Sequence, residues 1–246
     1  MPKIFVGTLH SDEADYSACL EMLQKQQNVE VTHHVVSGLS EIDAHNELWN
    51  EWRKHQQTHD FFVKVDADTV LRSDTTLSEI NNEFLKNPDA TGLQAPLHDY
   101  MTNELIDGLN AYRSIVTFNN TNDSLYCDRA VTINNSYVIR TNLSSELVPA
   151  GFHCHQANEL QGFHYGVHRM MKGQKDNVHK VIVAWDANRD RTRGFAMIGG
   201  LMAGRFFKDR RFNYTDVEFK AAYDEANSRY DEFMGAIEQG RFDLIN

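Results

Sequence analysis

The sequence predicts an α/β fold: a Rossmann-like, mostly parallel central sheet with helices on both faces, an antiparallel hairpin in the second half and a helical C-terminal region. Three observations predict it. Apolar, β-branched runs alternate with runs of helical periodicity over the first 70 residues. That β-α-β-α-β order is the order of parallel strands joined by covering helices. Two short runs, Arg129 to Ile133 and Tyr137 to Thr141, flank Asn134-Asn135-Ser136, and Asn tolerates the positive φ of a tight hairpin turn. From Val178 to Phe207, and again after Thr215, the pattern is helical in character.

Each element has its own signal. Lys3 to Gly7 reads as the first strand, ending at Gly7-Thr8, and Asp12 and Glu13 open a helix carrying Tyr16, Leu20 and Leu23 on one face. Val29 to Val36 reads as the second strand, and the helix from Ser40 to His55 carries Ile42, Leu48, Trp49 and Trp52. Phe61-Phe62-Val63-Lys64-Val65 is a buried strand ending at Asp66. Asp74 caps a helix that closes at Lys86 before Pro88, and Thr91 to Pro96 is a further strand running into Leu97-His98-Asp99-Tyr100. Thr215-Asp216-Val217-Glu218 reads as a capping box opening a last helix to about Glu238, stopped by Gly240. No repeat, low-complexity tract or linker stands out, which predicts one domain over 1–246.

Composition narrows the class. The 246 residues are 41% hydrophobic and 24% charged, ordinary for a globular chain. A formal net charge of -11 argues against a dedicated nucleic-acid binder. The excess is uneven, because eleven Lys/Arg stand against four acids between His164 and Arg211, a third that could face an anionic ligand. Cys19, Cys127 and Cys154 form no short-range pair, so no disulfide framework is expected and a reducing compartment fits. With a strand starting at Lys3 or Ile4 and no run of 18 apolar residues, the expectation is a cytoplasmic protein without a transmembrane segment. The loop Gly7-Thr8-Leu9-His10-Ser11 is no Gly-x-Gly-x-x-Gly, which disfavours dinucleotide oxidoreductases and nucleotide-sugar pyrophosphorylases.

Asp66-Ala67-Asp68 stands where the third strand ends, and strand ends of an α/β sheet are where ligands bind. If the chain stays extended, both carboxylates point to one face and could grip one hard divalent cation. In this setting the triplet resembles the DxD motif of GT-A-fold glycosyltransferases, in particular family-2-like enzymes. The resemblance covers roughly residues 3 to 170. It implies a GT-A type fold, with a nucleotide-sugar-binding half (1–100), an acceptor half (101–175) and a helical appendage (176–246). It implies transfer of a sugar from a nucleotide-diphosphate sugar to an acceptor hydroxyl, with Mn2+ or Mg2+ on the diphosphate. Acceptors would be a glycan, a lipid-linked or a small molecule; a modified DNA base is the less favoured alternative, as is a non-catalytic nucleotide- or metal-binding module.

The stretch from Gly151 to Arg169 crowds His153, Cys154, His155, Glu159, His164 and His168 around a loop-to-helix junction. The residues alone leave open a zinc site, in which thiolate and imidazole would be ligands, and a packed turn. The resemblance adds a third reading, in which His153 or His155 completes a metal shell begun by Asp66 and Asp68. By the same resemblance Asp99 or Glu159 would deprotonate the acceptor if the reaction inverts. The donor would be held by Thr8, Glu13, Ser37, Asn46, Lys64 and Asp66, with Arg169 and Lys172 on its phosphates. Where family-2 enzymes carry an Asp-Asp-Gly-Ser-like turn after the second strand, this chain has Val36-Ser37-Gly38-Leu39.

Overall fold

The computed structural model describes residues 1–127, 138–140 and 148–241. These residues fall into two compact units, one of residues 1–99 with 104–155, the other of residues 100–103 with 156–246.

The first unit is built on a mixed α/β sheet. Its elements are β1 (Lys3–His10), α1 (Tyr16–Gln24), β2 (Glu30–Ser37), α2 (Glu41–His55), β3 (Phe61–Lys64), β4 (Thr69–Leu71), α3 (Thr76–Lys86), β5 (Gly92–Asp99), β6 (Glu104–Arg113), β7 (Val138–Arg140) and β8 (Gly151–His153). The strand order is β2-β1-β3-β6-β5-β8-β4, with β7 also on β5. Pairing is parallel for β1 with β2 and β3, and for β5 with β7 and β8. It is antiparallel for β3–β6, β5–β6 and β4–β8. The expected fold class is therefore what the chain adopts.

Burial explains why the first strands read as unbroken apolar runs. Ile4, Val6, Phe61 and Val63 face one side of the sheet and join a core with Cys19 and Leu23 of α1 and Leu77, Ile80 and Phe84 of α3. Phe5 and Phe62 face the other side and meet Leu48, Trp49 and Trp52 of α2. Strands covered on both faces have no polar face to show. A methyl group at Gly7 would overlap Leu48 of α2, so glycine here sets the close approach of helix and sheet.

One local expectation falls mostly outside the described residues, and others are corrected. The hairpin expected at 129–141 lies outside the described residues except for 138–140, which pair in parallel with β5. Among the described residues, two consecutive strands that pair antiparallel are β5 and β6, joined through residues 100–103. Asp74 does not cap α3; the N-cap is Thr75, and the Asp74 carbonyl instead accepts from the backbone N–H of Gln27 at 2.6 Å.

The second unit is helical: α4 (Glu159–Met171), α5 (Lys175–Asn188), α6 (Arg191–Met202), α7 (Val217–Ser228) and α8 (Tyr230–Glu238). Asn158 and Gln161 form a capping box at the start of α4. The expected helical stretch from Val178 to Phe207 breaks at Arg189, which ends α5 at φ 53°, and Asp190 then caps α6 by accepting from Arg193 N–H at 2.9 Å. The Thr215–Glu218 capping box does not form. Asp216 is the N-cap, its carboxylate accepts from Asn213 N–H at 2.8 Å, and the last helix is two helices divided at Arg229.

Candidate functional site

The sheet register assembles the site. β8 lies between β4 and β5, with His153 directly opposite Thr69 on one side and Asp99 on the other. Directly opposed residues share a face of the sheet, so the His153 ring meets the Asp99 carboxylate, Nδ1 to Oδ1 at 2.7 Å. Asp68 precedes Thr69 and Cys154 follows His153, which brings those two together as well. The backbone N–H of Cys154 donates to the Asp68 carbonyl at 2.8 Å.

The chain does not stay extended through the acidic pair. Val65 and Ala67 continue to bond along β1, to the carbonyls of Gly7 and Leu9, and then Thr69 N–H folds back to the Asp66 carbonyl at 2.9 Å. The two carboxylates have different nearest partners. Asp66 is 44% exposed and paired with Lys64 of β3, which is 10% exposed. Asp68 instead faces His153 Nε2 at 3.3 Å.

Asp68, His153 and Cys154 form one of two groups of three metal-binding side chains found among the described residues. Cys154 Sγ lies 3.7 Å from Asp68 Oδ2 and 3.7 Å from His153 Nε2. The donor chemistry fits a divalent cation: a carboxylate and an imidazole converge, and the imidazole is held from behind by a second carboxylate. Cys154 adopts φ 56°, a conformation uncommon for residues other than glycine, in placing its thiol there. The second group is Glu41, His45 and Cys127. In it His45 Nδ1 lies 2.8 Å from the Glu41 carbonyl, and the buried Nε2 has no hydrogen-bond partner.

Electrostatics follow from this packing. Burial works against the Asp68 charge, but the neighbouring His153, then Lys64 and the Cys154 thiol, outweigh it and hold the carboxyl down at about 2. Burial also works against a charged His153, yet the adjoining Cys154, Asp68 and Asp99 raise its pKa well above the ordinary imidazole value. The Cys154 thiol is pushed up to about 12, chiefly by burial. Glu13 is raised to about 7 by burial and by the charges of Asp68 and Asp66, against the Ser11 N–H that donates to it at 2.6 Å.

The remaining expected residues are placed as follows. Thr8 is buried with its hydroxyl 2.9 Å from His33 Nε2. Ser37 is exposed at the end of β2. Asn46 makes two bonds to the Thr121 backbone, at 2.7 and 3.0 Å, and so pins that loop to α2. His155 is exposed, its ring 5.4 Å from that of Phe152, and stands outside the group around Asp68. Asp99 has no solvent exposure, which suits a residue that holds His153 better than one that meets an acceptor.

Glu159, Arg169 and Lys172 belong to the second unit. Glu159 opens α4 and accepts from Arg191 Nε at 2.6 Å. Arg169 stacks over Tyr165 and donates to Gln174 at 2.9 Å, and Lys172 is the C-cap of α4. The pair His164 and His168 is engaged with the Phe212 backbone. His168 Nε2 accepts from the N–H at 2.9 Å, while His164 Nε2 lies 2.7 Å from the carbonyl. This accounts for both rings without a metal.

Sequence reasoning singled out Asp68 and His153 by residue type and position. The two features it missed are the place of Cys154 beside them and the bond from Asp99 to His153. Pairing across the sheet sets both.

No protein-family model matches the chain, and no curated protein matches it by sequence. Among solved structures, the chain is similar to S. aureus TarS 1-349 in complex with UDP (10% identity, 84% of this chain and 72% of that one, TM-score 0.36). It is also similar to the mannosyltransferase PcManGT from Pyrobaculum calidifontis in complex with GDP-Man and Mn2+ (12% identity, 99% and 85%, TM-score 0.35). A third likeness is to a glycosyltransferase involved in glycosylation of the major capsid of PBCV-1 (11% identity, TM-score 0.33). The match covers 46% of this chain and 60% of the PBCV-1 protein, less than two thirds of its length. Overlaps at this level carry no weight for the chemistry of this chain, which rests on its own residues.

Proposed function

We propose that this chain is a divalent-cation-dependent glycosyltransferase that moves a sugar from a nucleotide-diphosphate sugar to an acceptor hydroxyl. The observation that carries the reading is the convergence of Asp68 with His153 at the end of the parallel strands, with Asp99 bonded behind the imidazole. The absence of a glycine-rich phosphate loop after β1 agrees with a diphosphate held through a cation. When bound, the cation would neutralise charge on the departing nucleoside diphosphate.

The chain's own residues then have distinct tasks. Asp68 and His153 hold the cation, and Asp99 fixes the imidazole so that Nε2 is turned toward Asp68. Lys64 is paired with Asp66, and Asp66 adds a carboxylate to the same end of the sheet. Glu13, close enough to Asp68 and Asp66 for their charges to act on its carboxyl, is a hydrogen-bonding group for a donor hydroxyl. Asp99 is committed to holding His153. In this proposal the protein acts in the cytoplasm, on a glycan, lipid-linked or small-molecule acceptor.

The test is thermal stability with Mn2+, Mg2+ or Zn2+ and a panel of nucleotide sugars and nucleoside diphosphates, for the wild type and the Asp66→Ala, Asp68→Ala double variant. A ligand that binds only the folded state raises stability with the logarithm of its concentration over Kd. The expected result is a cation-dependent shift with one nucleotide, absent in the double variant. No shift with any nucleotide would remove the transferase reading.

A further inference from the structure

We propose that the cation at this site is thiophilic and four-coordinate, of the Zn2+ type, held by Asp68, His153 and Cys154 with one position left open. The inference rests on the reading of this site as a cation site, and it concerns which cation. A hard ion such as Mg2+ takes oxygen ligands, near-ideal octahedral geometry and several retained waters. Here the three converging donors are an oxygen, a nitrogen and a sulfur, the set that suits Zn2+.

The spacing gives a second, geometric argument. Bond lengths of about 2.0 Å to oxygen and nitrogen and 2.3 Å to sulfur, at tetrahedral angles, put the oxygen and nitrogen about 3.3 Å apart and place sulfur about 3.5 Å from each. The distances in the protein are 3.3 Å for Asp68 Oδ2 to His153 Nε2 and 3.7 Å from Cys154 Sγ to each of them. The triangle is already close to that of a tetrahedral cation.

The surroundings are those of a prepared ligand set. His153 Nδ1 is bonded to the buried Asp99 carboxylate, the usual support behind a metal-bound imidazole. Cys154 is anchored by its backbone N–H to the Asp68 carbonyl, so thiol and carboxylate are fixed to each other through the main chain. On binding, the cation replaces the thiol proton, which leaves to solvent. Three protein ligands and one open position is the arrangement of sites where a cation meets a substrate. The open position is where a diphosphate oxygen of the proposed donor would sit.

Co2+ reports both coordination number and thiolate ligation in its spectrum. The full chain is titrated with Co2+, alongside Cys154→Ser and, as a control for the other thiol group, Cys127→Ser. The expected result is one equivalent of Co2+ with the intense visible bands of a four-coordinate ion and a thiolate-to-cobalt charge-transfer band. Both features should persist in Cys127→Ser and vanish in Cys154→Ser. Zn2+ should displace the Co2+ at least about 100-fold more effectively than Mg2+ does, in line with site softness.

Weak six-coordinate bands without charge transfer in the wild type would overturn the proposal, as would a charge-transfer band that follows Cys127. Adding UDP or GDP to each metal-loaded form separates this inference from the transferase reading. Nucleotide binding with Mg2+ or Mn2+ and no thiolate band sinks the thiophilic site and leaves the transferase. A thiolate band with no response to any nucleoside diphosphate does the reverse.

Discussion

The Asp99 carboxylate is buried and 2.7 Å from Nδ1 of His153, so its influence on chemistry passes through the imidazole. Asp99→Asn keeps the volume and removes the charge, and the expected consequence is a 10- to 100-fold loss of metal affinity, on the order usual for such supporting partners. Calorimetric titration with Zn2+ and with Mn2+ measures it, with circular dichroism to show that the fold is kept. A residue serving as the acceptor's base would leave metal affinity unchanged and lower kcat alone. His168 makes a second prediction at this scale. Burial, then the positive charge of His164, Arg211, Lys172 and Arg169, holds its pKa well below the ordinary value of 6.5, and its Nε2 accepts the Phe212 N–H. The unfolded chain takes up this proton more readily than the folded one. The stabilisation is therefore present above about pH 6.5 and lost as pH falls below it. Urea unfolding between pH 7.5 and 5.5 should show a decline in stability that is shallower in His168→Gln, whose amide can still accept from the backbone but does not titrate.

Helices α4 and α6 touch through backbone. A methyl group at Gly162 would overlap the Thr192 carbonyl, and one at Gly166 would overlap the Ala196 carbonyl and stand 2.7 Å from the Gly200 nitrogen. Backbone atoms cannot turn aside as a side chain would, so Gly166→Ala must push the helices apart. The expected cost is about 2–3 kcal/mol, the upper part of the range for overpacking. Gly235 in α8 has open space around its would-be side chain, and there alanine should stabilise by roughly 0.5–1 kcal/mol through helix propensity. Denaturant midpoints of the two variants should therefore move in opposite directions. Equal shifts would mean that α4 and α6 are not in backbone contact. The last helix divides at Arg229, whose backbone stands at φ -116°, outside the helical region, while its guanidinium bonds Glu225 before it and Glu232 after it.

At the scale of the whole molecule, what was legible followed from what each pattern records. The parallel start was legible because strands buried on both faces write continuous apolar runs and α2 writes Leu48, Trp49 and Trp52 on one face. The β5–β6 pair was not, because Glu104-Leu105-Ile106-Asp107-Gly108-Leu109-Asn110 alternates poorly and one residue alone, Asn103 at φ 55°, marks the turn before it. Asp68 and His153 were visible by residue type, whereas the roles of Cys154 and Asp99 depend on strands 86 and 54 residues apart meeting in one register. The basic third shows a related limit of sequence patterns: a count of charges does not show their partners. Arg189, Arg191, Arg193, Arg205 and Arg210 are each paired with a carboxylate, and Arg193 is buried. With five of the eleven Lys/Arg of this stretch so engaged, in a chain of net charge -11, less positive charge is left to displace counterions from a duplex. Fluorescence anisotropy of a short labelled duplex should stay flat to about 10 μM protein even at 50 mM salt, since non-specific binders reach Kd values of about 1–100 μM at physiological salt and bind tighter at low salt. Binding below about 1 μM that weakens steeply between 50 and 200 mM salt would instead restore a nucleic-acid acceptor, and the slope of log K against log salt would count the phosphates contacted.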